Sequence, residues 1–247
     1  MTMDSGKFSM QKLLKQTLIT FSSNYSGNVR GQKFVENFSK LKSLADRLTA
    51  EHVNLDANLS KLSPERSRCS TRNPPVTYVE VYEDSNVTIG IFILKSGARL
   101  PLHDHPQMHG ILKVLRGTVR IQSYSIKNDC ESASNTFGRT LPGADMLVAE
   151  KHCEVSVDSS SAACVLTPVE RNLHEIHTEN GLAAFLDILS PPYNSESTDT
   201  CDRSCHYYME VLQSGVETGS QNVKLRRVTP PPDFWNDSAP YNGPLLQ

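Results

Sequence analysis

The chain has 247 residues, 38% of them hydrophobic, with 25 basic and 27 acidic side chains and a formal net charge of -2. This length and composition support a sizeable core, in one domain with extensions or in two small domains. The near-neutral charge excludes the broad basic surface that attracts nucleic acid, and the short basic cluster at residues 224–227 is typical of a solvated strand. We therefore expect a small molecule or a protein as substrate.

Two features bear on the cellular compartment. No apolar run approaches the roughly 18 residues of a membrane span, and residues 1–18 lack the apolar core of a secretory signal. That segment is amphipathic and contains three lysines, but Asp4 and the absence of arginine disfavour a mitochondrial presequence. The six cysteines are scattered without a CxxC pair, as expected for free thiols. We predict a cytoplasmic protein, with mitochondrial import as the weaker alternative.

Residues 1–62 carry a helical pattern. Apolar side chains recur at three- and four-residue steps, first from Leu13 to Phe21 and then from Phe34 to Leu48. Because every strand-like segment comes later, we expect an N-terminal helical extension that packs on the body that follows. Residues 63–75 are polar and contain prolines, which predicts a linker.

Residues 76–247 have the sequence pattern of a β-sheet domain. Eleven short segments with β-branched or aromatic residues are separated by Gly, Pro, Asn, Asp and Ser: 76–83, 87–95, 110–115, 117–125, 145–150, 153–158, 162–168, 173–178, 183–190, 205–212 and 223–229. No helical segment lies among them, which favours an antiparallel sandwich or barrel over a βαβ fold. The C-terminal residues 229–246 are too rich in proline for a strand, and their aromatic side chains predict a segment that lies on the body.

A histidine cluster follows the second of these segments. His103 and His105 are two residues apart, so on an extended chain both imidazoles project from one face, about 6.6 to 6.8 Å apart along the backbone. Two nitrogens at about 2 Å from one cation can be reached in this way. Asp104 points to the other face and is a poor ligand candidate. Alone, the HxH pattern is a weak signal.

The spacing of the residues around His103 and His105 strengthens the prediction of a metal site. Gly97, His103, His105, Gly110 and Gly117 follow the first cupin motif, with Gly110 where that motif has an acidic ligand. The segment "PLHDHPQMHGILKVLRGTVRI", together with "NLHEIH", "AAFLDILSPPY", "CHYY" and "DFW", resembles the family of animal 2-aminoethanethiol dioxygenase and the plant cysteine oxidases. The resemblance runs from about Leu94 to the C-terminus and is weaker over the N-terminal helices.

This resemblance implies a mainly β fold, a cupin-type antiparallel β-barrel (double-stranded β-helix or jelly roll) with N-terminal α-helices. It also implies one mononuclear Fe(II) bound by His103, His105 and His174. The residues alone leave His174, His177 and His206 as alternatives for the third ligand, although His174 and His177 must face opposite sides of a strand. His109 is expected outside the ligand set, either next to a ligand or in a structural role.

The chemistry implied by the resemblance is oxidation of a thiol by O2. Three neutral imidazoles leave iron(II) with both of its charges, which suits an incoming thiolate. The implied reactions convert cysteamine to hypotaurine, or the N-terminal cysteine of proteins to cysteine sulfinic acid, the latter as oxygen sensing in hypoxia through the Cys/Arg N-degron pathway. The family also favours a monomer. The alternative is a non-catalytic metal-binding cupin that acts as a sensor or scaffold.

Five further residues are predicted around the centre. In animal members of the family, residues matching Cys205 and Tyr207 can form a thioether crosslink; the alternative is an ordinary core cysteine beside a tyrosine. Asp187 is a carboxylate in an apolar strand, which could orient a histidine or receive the substrate ammonium, or could face solvent at a sheet edge. Arg99 could contact peptide carbonyls or be solvated. Gly110 could leave space for substrate.

Overall fold

The computed structural model describes residues 9–22, 28–61, 74–127, 146–193, 203–211 and 221–246. Three α-helices precede the strands: α1 (Met10–Phe21), α2 (Asn28–Asp46) and α3 (Leu55–Lys61), with a 3-10 turn at Ala50–Val53. Most of the predicted linker, residues 63–75, lies outside the described residues. In this part of the chain no helix has both the length and the hydropathy to cross a membrane.

The described residues form eleven strands: β1 (Val76–Glu83), β2 (Thr88–Leu94), β3 (Arg99–Asp104), β4 (His109–Ile126), β5 (Met146–Lys151), β6 (Val155–Asp158), β7 (Cys164–Leu166), β8 (Leu173–Ser190), β9 (Tyr207–Val211), β10 (Asn222–Val228) and β11 (Asn236–Ser238). Six of them close a barrel in the order β8, β3, β9, β10, β5, β4 and back to β8, every pair antiparallel. The predicted fold class, a mainly β antiparallel barrel with N-terminal helices, is confirmed.

Two predicted strand breaks are wrong. Segments 110–115 and 117–125 join into the single strand β4, and segments 173–178 and 183–190 join into β8. Each junction contains a glycine with positive φ, 71° at Gly117 and 126° at Gly181, where the chain bulges without leaving the sheet. A Cβ at Gly117 would collide with the carbonyl oxygen of Leu182, so the close approach of the two strands also requires glycine there.

The C-terminal segment also differs from the prediction. Residues 236–238 form β11, which pairs in parallel with β1, although the segment was expected to contain no strand. The prolines at positions 230–232 and 240 flank this strand and do not interrupt its hydrogen bonds. From there the chain continues to the helices, where Asn54 and Asn58 donate to the carbonyl oxygens of Asn242 and Pro240 at 2.9 and 2.8 Å.

Strands β4 and β8 form the long central pair, and its two faces bury different side chains. On one face Ile111, Leu186 and Ile188 belong to an apolar cluster shared with the helices. On the other face a second apolar cluster fills the interior beside β3. The helices therefore close one side of the pair, and the interior face is left to position the functional groups.

Candidate metal centre

Three histidines converge inside the barrel. His103 lies on β3, His105 follows that strand directly, and His174 is the second residue of β8. Because β3 and β8 pair in antiparallel register, His103 lies opposite His174. One nitrogen from each ring lies within 4.8 Å of the others, and the Nε2 atoms of His105 and His174 are 3.1 Å apart. The structure therefore brings together the three predicted ligands.

Other histidines lie elsewhere. His177 occupies the opposite face of β8, where its Nε2 is 3.2 Å from a carboxylate oxygen of Glu175. The ring of His109 packs against Phe34 and Phe38 of α2, with centroids 4.8 and 5.8 Å away. His109 thus contacts the helices, in line with the structural role expected for it.

Hydrogen bonds fix the tautomers of two of the three rings. The Nδ1–H of His103 donates to the carbonyl oxygen of Pro101 at 2.8 Å. The hydroxyl of Tyr193 donates to the carbonyl oxygen of Asp104 at 2.6 Å, so its oxygen accepts from Nδ1–H of His105 at 2.9 Å. In both rings the lone pair consequently sits on Nε2, which is the arrangement of a metal-binding histidine.

The electrostatics of the cluster also suit a cation. Burial lowers the pKa of all three histidines, and the neighbouring rings lower it further at His105 and His174. Neutral imidazoles result, with the Nε2 atoms of His105 and His174 facing each other at 3.1 Å. Two nitrogens bound at right angles to one ion, each at about 2.1 Å, would lie about 3 Å apart. The donor set therefore fits a single metal ion.

Asp104 has a structural role next to the three histidines. As expected, its buried carboxylate points away from the three rings. One oxygen accepts from the amide of His206 at 2.8 Å, and the other accepts from the His206 ring at 3.1 Å and from the Tyr208 hydroxyl at 3.0 Å. These bonds join β3 to β9 and fix the position of Tyr207 between the two anchoring residues.

Cys205 and Tyr207 lie beside the centre. Tyr207 is opposite His103 across β3 and β9, with ring centroids 6.5 Å apart. The Cys205 side chain is hydrogen-bonded to both Tyr193 and Tyr207. Burial raises the pKa of the Cys205 thiol to about 11 despite these bonds, so the thiol stays protonated at neutral pH. The pair is thus adjacent, next to one of the histidines.

Asp187 is buried on the interior side of β8. Its burial raises the pKa of the carboxyl to about 7, and its charge contributes to raising the pKa of the Tyr193 hydroxyl. Among the described residues no hydrogen bond joins Asp187 to a histidine, and Tyr193 holds His105 instead. Asp187 and Tyr193 line one cavity of about 270 Å³.

Gly110 and Arg99 occupy different surroundings. Gly110 lines a cavity of about 250 Å³ that reaches His174. A Cβ at Gly110 would lie 2.8 Å from Leu166 Cγ and 2.9 Å from Leu189 Cδ2, so leucine side chains fill the space beside the glycine. Arg99 forms an ion pair with Asp233 at 3.1 Å, which ties β3 to the C-terminal segment.

The role of Tyr193 is not predicted by the sequence, although the residue lies within the segment "AAFLDILSPPY". Tyr193 follows two prolines at the end of β8, and this context is typical of any loop. Its contact with His105 spans 88 positions along the chain, and no local pattern indicates it.

Comparisons with known proteins find relatives over nearly the whole chain. The family model PCO_ADO matches residues 44–246. The chain is 34% identical to 2-aminoethanethiol dioxygenase of Homo sapiens and 36% identical to that of Mus musculus, over 96% of both chains in each case. It is 32% identical to plant cysteine oxidase 2 of Arabidopsis thaliana, over 96% of this chain and 83% of the relative.

Proposed function

The chain belongs to the PCO_ADO family of thiol dioxygenases, and on that premise we propose that it uses iron and O2 to oxidise cysteamine, N-terminal cysteine residues of proteins, or both. The observation that carries this proposal is the cluster of three neutral histidines inside the barrel. The balanced reaction is RSH plus O2 giving RSO2⁻ and one proton, with sulfur oxidised and both oxygen atoms retained in the sulfinate.

We propose His103, His105 and His174 as the ligands of a mononuclear Fe(II). Bound iron would supply one centre at which thiol and O2 meet and at which electrons pass from sulfur to oxygen. The chain's own contribution is to keep the three rings neutral by burial and to hold His103 and His105 with Nε2 directed inward. The absence of a carboxylate ligand leaves the site with the positive charge that favours a bound thiolate.

Tyr207 and Cys205 are proposed to act beside the iron. The hydrogen bond between Cys205 and Tyr207 holds the sulfur beside the phenol that a thioether would join. Tyr207 also lies opposite His103, so its hydroxyl is a candidate proton donor to groups bound at the centre. Formation of the crosslink is part of the proposal: the S–H bond of Cys205 and one ring C–H bond of Tyr207 would break, a C–S bond would form, and the co-substrate O2 would accept the two electrons and two protons.

The substrate head is proposed to be an unsubstituted aminoethanethiol. The buried carboxylate of Asp187 is the proposed partner of the substrate ammonium. Burial raises the pKa of Asp187, and an ion pair with the ammonium would offset this effect. Gly110 borders the cavity that leads to His174. For Arg99 a contact with substrate stays a prediction, because its side chain is engaged with Asp233.

The division of the chain is also a proposal: helices in 1–62 as a cap, 63–75 as a linker and 76–247 as the cupin domain. It is supported by the apolar cluster that α1 and α2 share with β4 and β8. A cytoplasmic location, a monomeric state and oxygen sensing through N-terminal cysteine oxidation stay predictions of the sequence and its resemblance.

Mass spectrometry tests the proposed reaction. The iron-loaded protein is incubated with a short peptide that begins with cysteine, and in parallel with cysteamine, under air and under nitrogen. We expect a gain of two oxygen atoms under air only. His174→Ala should abolish it, while the matched variant His177→Ala, which alters the opposite face of the same strand, should retain it.

Each result has a distinct meaning. Modification of cysteamine alone would confine the protein to small thiols, and modification of the peptide would establish action on N-termini. Iron binding without modification of either thiol would contradict the proposal and support a non-catalytic metal-binding sensor or scaffold. Equal activity in His174→Ala would remove that histidine from the ligand set.

A further inference from the structure

The cavity that reaches His174 has room for more than an aminoethanethiol. Its volume is about 250 Å³. Even all four non-hydrogen atoms of cysteamine, at about 30 Å³ each, the volume share of a water molecule, would fill only roughly 120 Å³ of it. The remaining space can hold the next part of a longer substrate.

A single permanent charge lines this cavity. Arg171 lies at its edge, and the other described lining residues include no lysine, aspartate or glutamate. The side chain of Arg171 is exposed and, among the described residues, has no ion-pair partner. By contrast, Arg116 and Arg120 pair with Asp56 at 2.6 Å and with Glu154 at 3.4 Å. The guanidinium of Arg171 is therefore available to an incoming anion.

The backbone of Arg171 is held firmly. Its φ is 55°, a left-handed conformation that a non-glycine residue adopts at a cost. Its amide donates to Ser125 Oγ at 2.8 Å, and that hydroxyl is also hydrogen-bonded to Nε2 of His152 at 2.7 Å. These bonds connect Arg171 to β4 and to the end of β5.

The next residue joins this turn to the metal centre. The carbonyl oxygen of Asn172 accepts from the amide of His105 at 2.8 Å. Its side-chain oxygen accepts from the amide of Ile126 at 3.2 Å, and its side-chain nitrogen donates to Pro168 at 3.1 Å. The backbone of Arg171 and the histidines therefore belong to one connected framework, which fixes the point from which the Arg171 side chain extends.

We propose that Arg171 selects substrates that carry a negative charge shortly after the N-terminal cysteine. The inference rests on the proposed thiol dioxygenase activity and narrows its substrate class to acidic peptides. The backbones of Arg171 and His174 are three residues apart, about 10 Å in an extended chain at 3.3 Å per residue, which is the range of the residues that follow the cysteine in an extended peptide. Cysteamine ends before it reaches this position.

The test measures kcat/KM for cysteamine and for three peptide amides, Cys-Glu-Glu-Gly, Cys-Gln-Gln-Gly and Cys-Lys-Lys-Gly. The wild type should prefer the acidic peptide. Arg171→Gln should lower kcat/KM for that peptide about fivefold, the effect of one ion pair at an exposed mouth. Arg171→Glu should reverse the order to favour the lysine peptide. Cysteamine oxidation should change by less than twofold in either variant.

Controls separate this inference from the proposed function. Arg116→Gln removes the same charge at the contact with α3 and should keep the wild-type order of peptides. Added salt should weaken the preference for the acidic peptide. Turnover with the same preference in Arg171→Gln would overturn the inference and leave the dioxygenase intact. Absence of thiol oxidation in the wild type, with cysteamine and all peptides, would overturn both.

Discussion

The two faces of the β4–β8 pair use burial in opposite ways. The face toward the helices is apolar, and its residues Ile111, Leu186 and Ile188 pack with side chains of α1 and α2. The interior face buries His174 and Asp187, two groups whose charged forms are disfavoured there. Burial stabilises the fold on the first face, and on the second it sets protonation states that the proposed chemistry needs.

A change of alternation within β8 makes this division possible. Before the bulge at residues 180–181, His174 and Ile176 face the interior; after it, Phe185 and Asp187 do so. An uninterrupted strand would point Asp187 toward the helices, because residues 13 positions apart lie on opposite faces. The bulge thus places both groups on one side.

The largest expected effect concerns stability alone. Leu186→Ala leaves a cavity in the apolar face and should lower the free energy of unfolding by about 2–5 kcal/mol. The kcat/KM of the folded protein should change little, because Leu186 faces away from the centre. Urea unfolding and activity below the transition check both statements.

Leu182→Ala is the matched control, since that leucine is 36% exposed on the same strand. Its free energy of unfolding should change by less than about 1 kcal/mol. If Leu186→Ala instead lost activity while remaining folded, packing on the apolar face would also control activity at the interior face, and the two faces would not have separate roles.

A second prediction concerns the pH dependence of stability. The pKa of Asp187 is about 7 in the folded protein and near 3.8 when unfolded, so between these values the folded state holds the extra proton. Its contribution to stability is present below pH 4 and is lost as pH rises toward 7, by roughly 3–5 kcal/mol in total. Asp187→Asn should lack this slope.

Unfolding free energies measured in urea from pH 4.5 to 8 would show the difference. The exposed Asp237, changed to Asn, provides the control and should follow the wild-type profile. Parallel profiles for Asp187→Asn and wild type would mean that Asp187 titrates with an ordinary pKa, and the interior face would then not be the dry environment described.

How far the sequence predicts this molecule depends on the range of the interactions. The sequence predicts that His103 and His105 lie side by side, because an extended segment puts both on one face, and their nitrogens do lie close together in the structure. The helices and strands are predicted for the same reason, because their periodic patterns depend only on residues close together in the sequence. His174 is predicted as the third ligand only by the family resemblance. Its position beside His103 depends on the register of β3 with β8, which the sequence pattern does not show.

The errors have the same origin. Gly117 and Gly181 look like turns in the sequence, whereas in the sheet they are bulges that keep one strand continuous. The strand at residues 236–238 exists because β1 offers it an edge, which nothing in its own composition shows. Local patterns therefore predicted element types, and partners decided where strands ended.

Tyr193 extends this argument to the centre and gives the smallest expected effect. Its oxygen is the acceptor for Nδ1–H of His105, and Tyr193→Phe would remove that acceptor while keeping the ring. Loss of such an outer hydrogen bond weakens metal binding about tenfold. We expect this decrease in iron affinity, measured by competition with a chelator, and an unchanged affinity in the control Tyr78→Phe on β1.

The alternative outcome is equally informative, because Tyr193 also hydrogen-bonds Cys205. Unchanged iron affinity with a lower kcat would show that the hydroxyl acts through the Cys205 and Tyr207 pair and that backbone geometry alone orients His105. Lower iron affinity with kcat preserved at saturating iron would show that the hydroxyl orients His105 and does not act through Cys205 and Tyr207. In either case a contact made across 88 residues would account for part of what distinguishes the interior face from the face covered by helices.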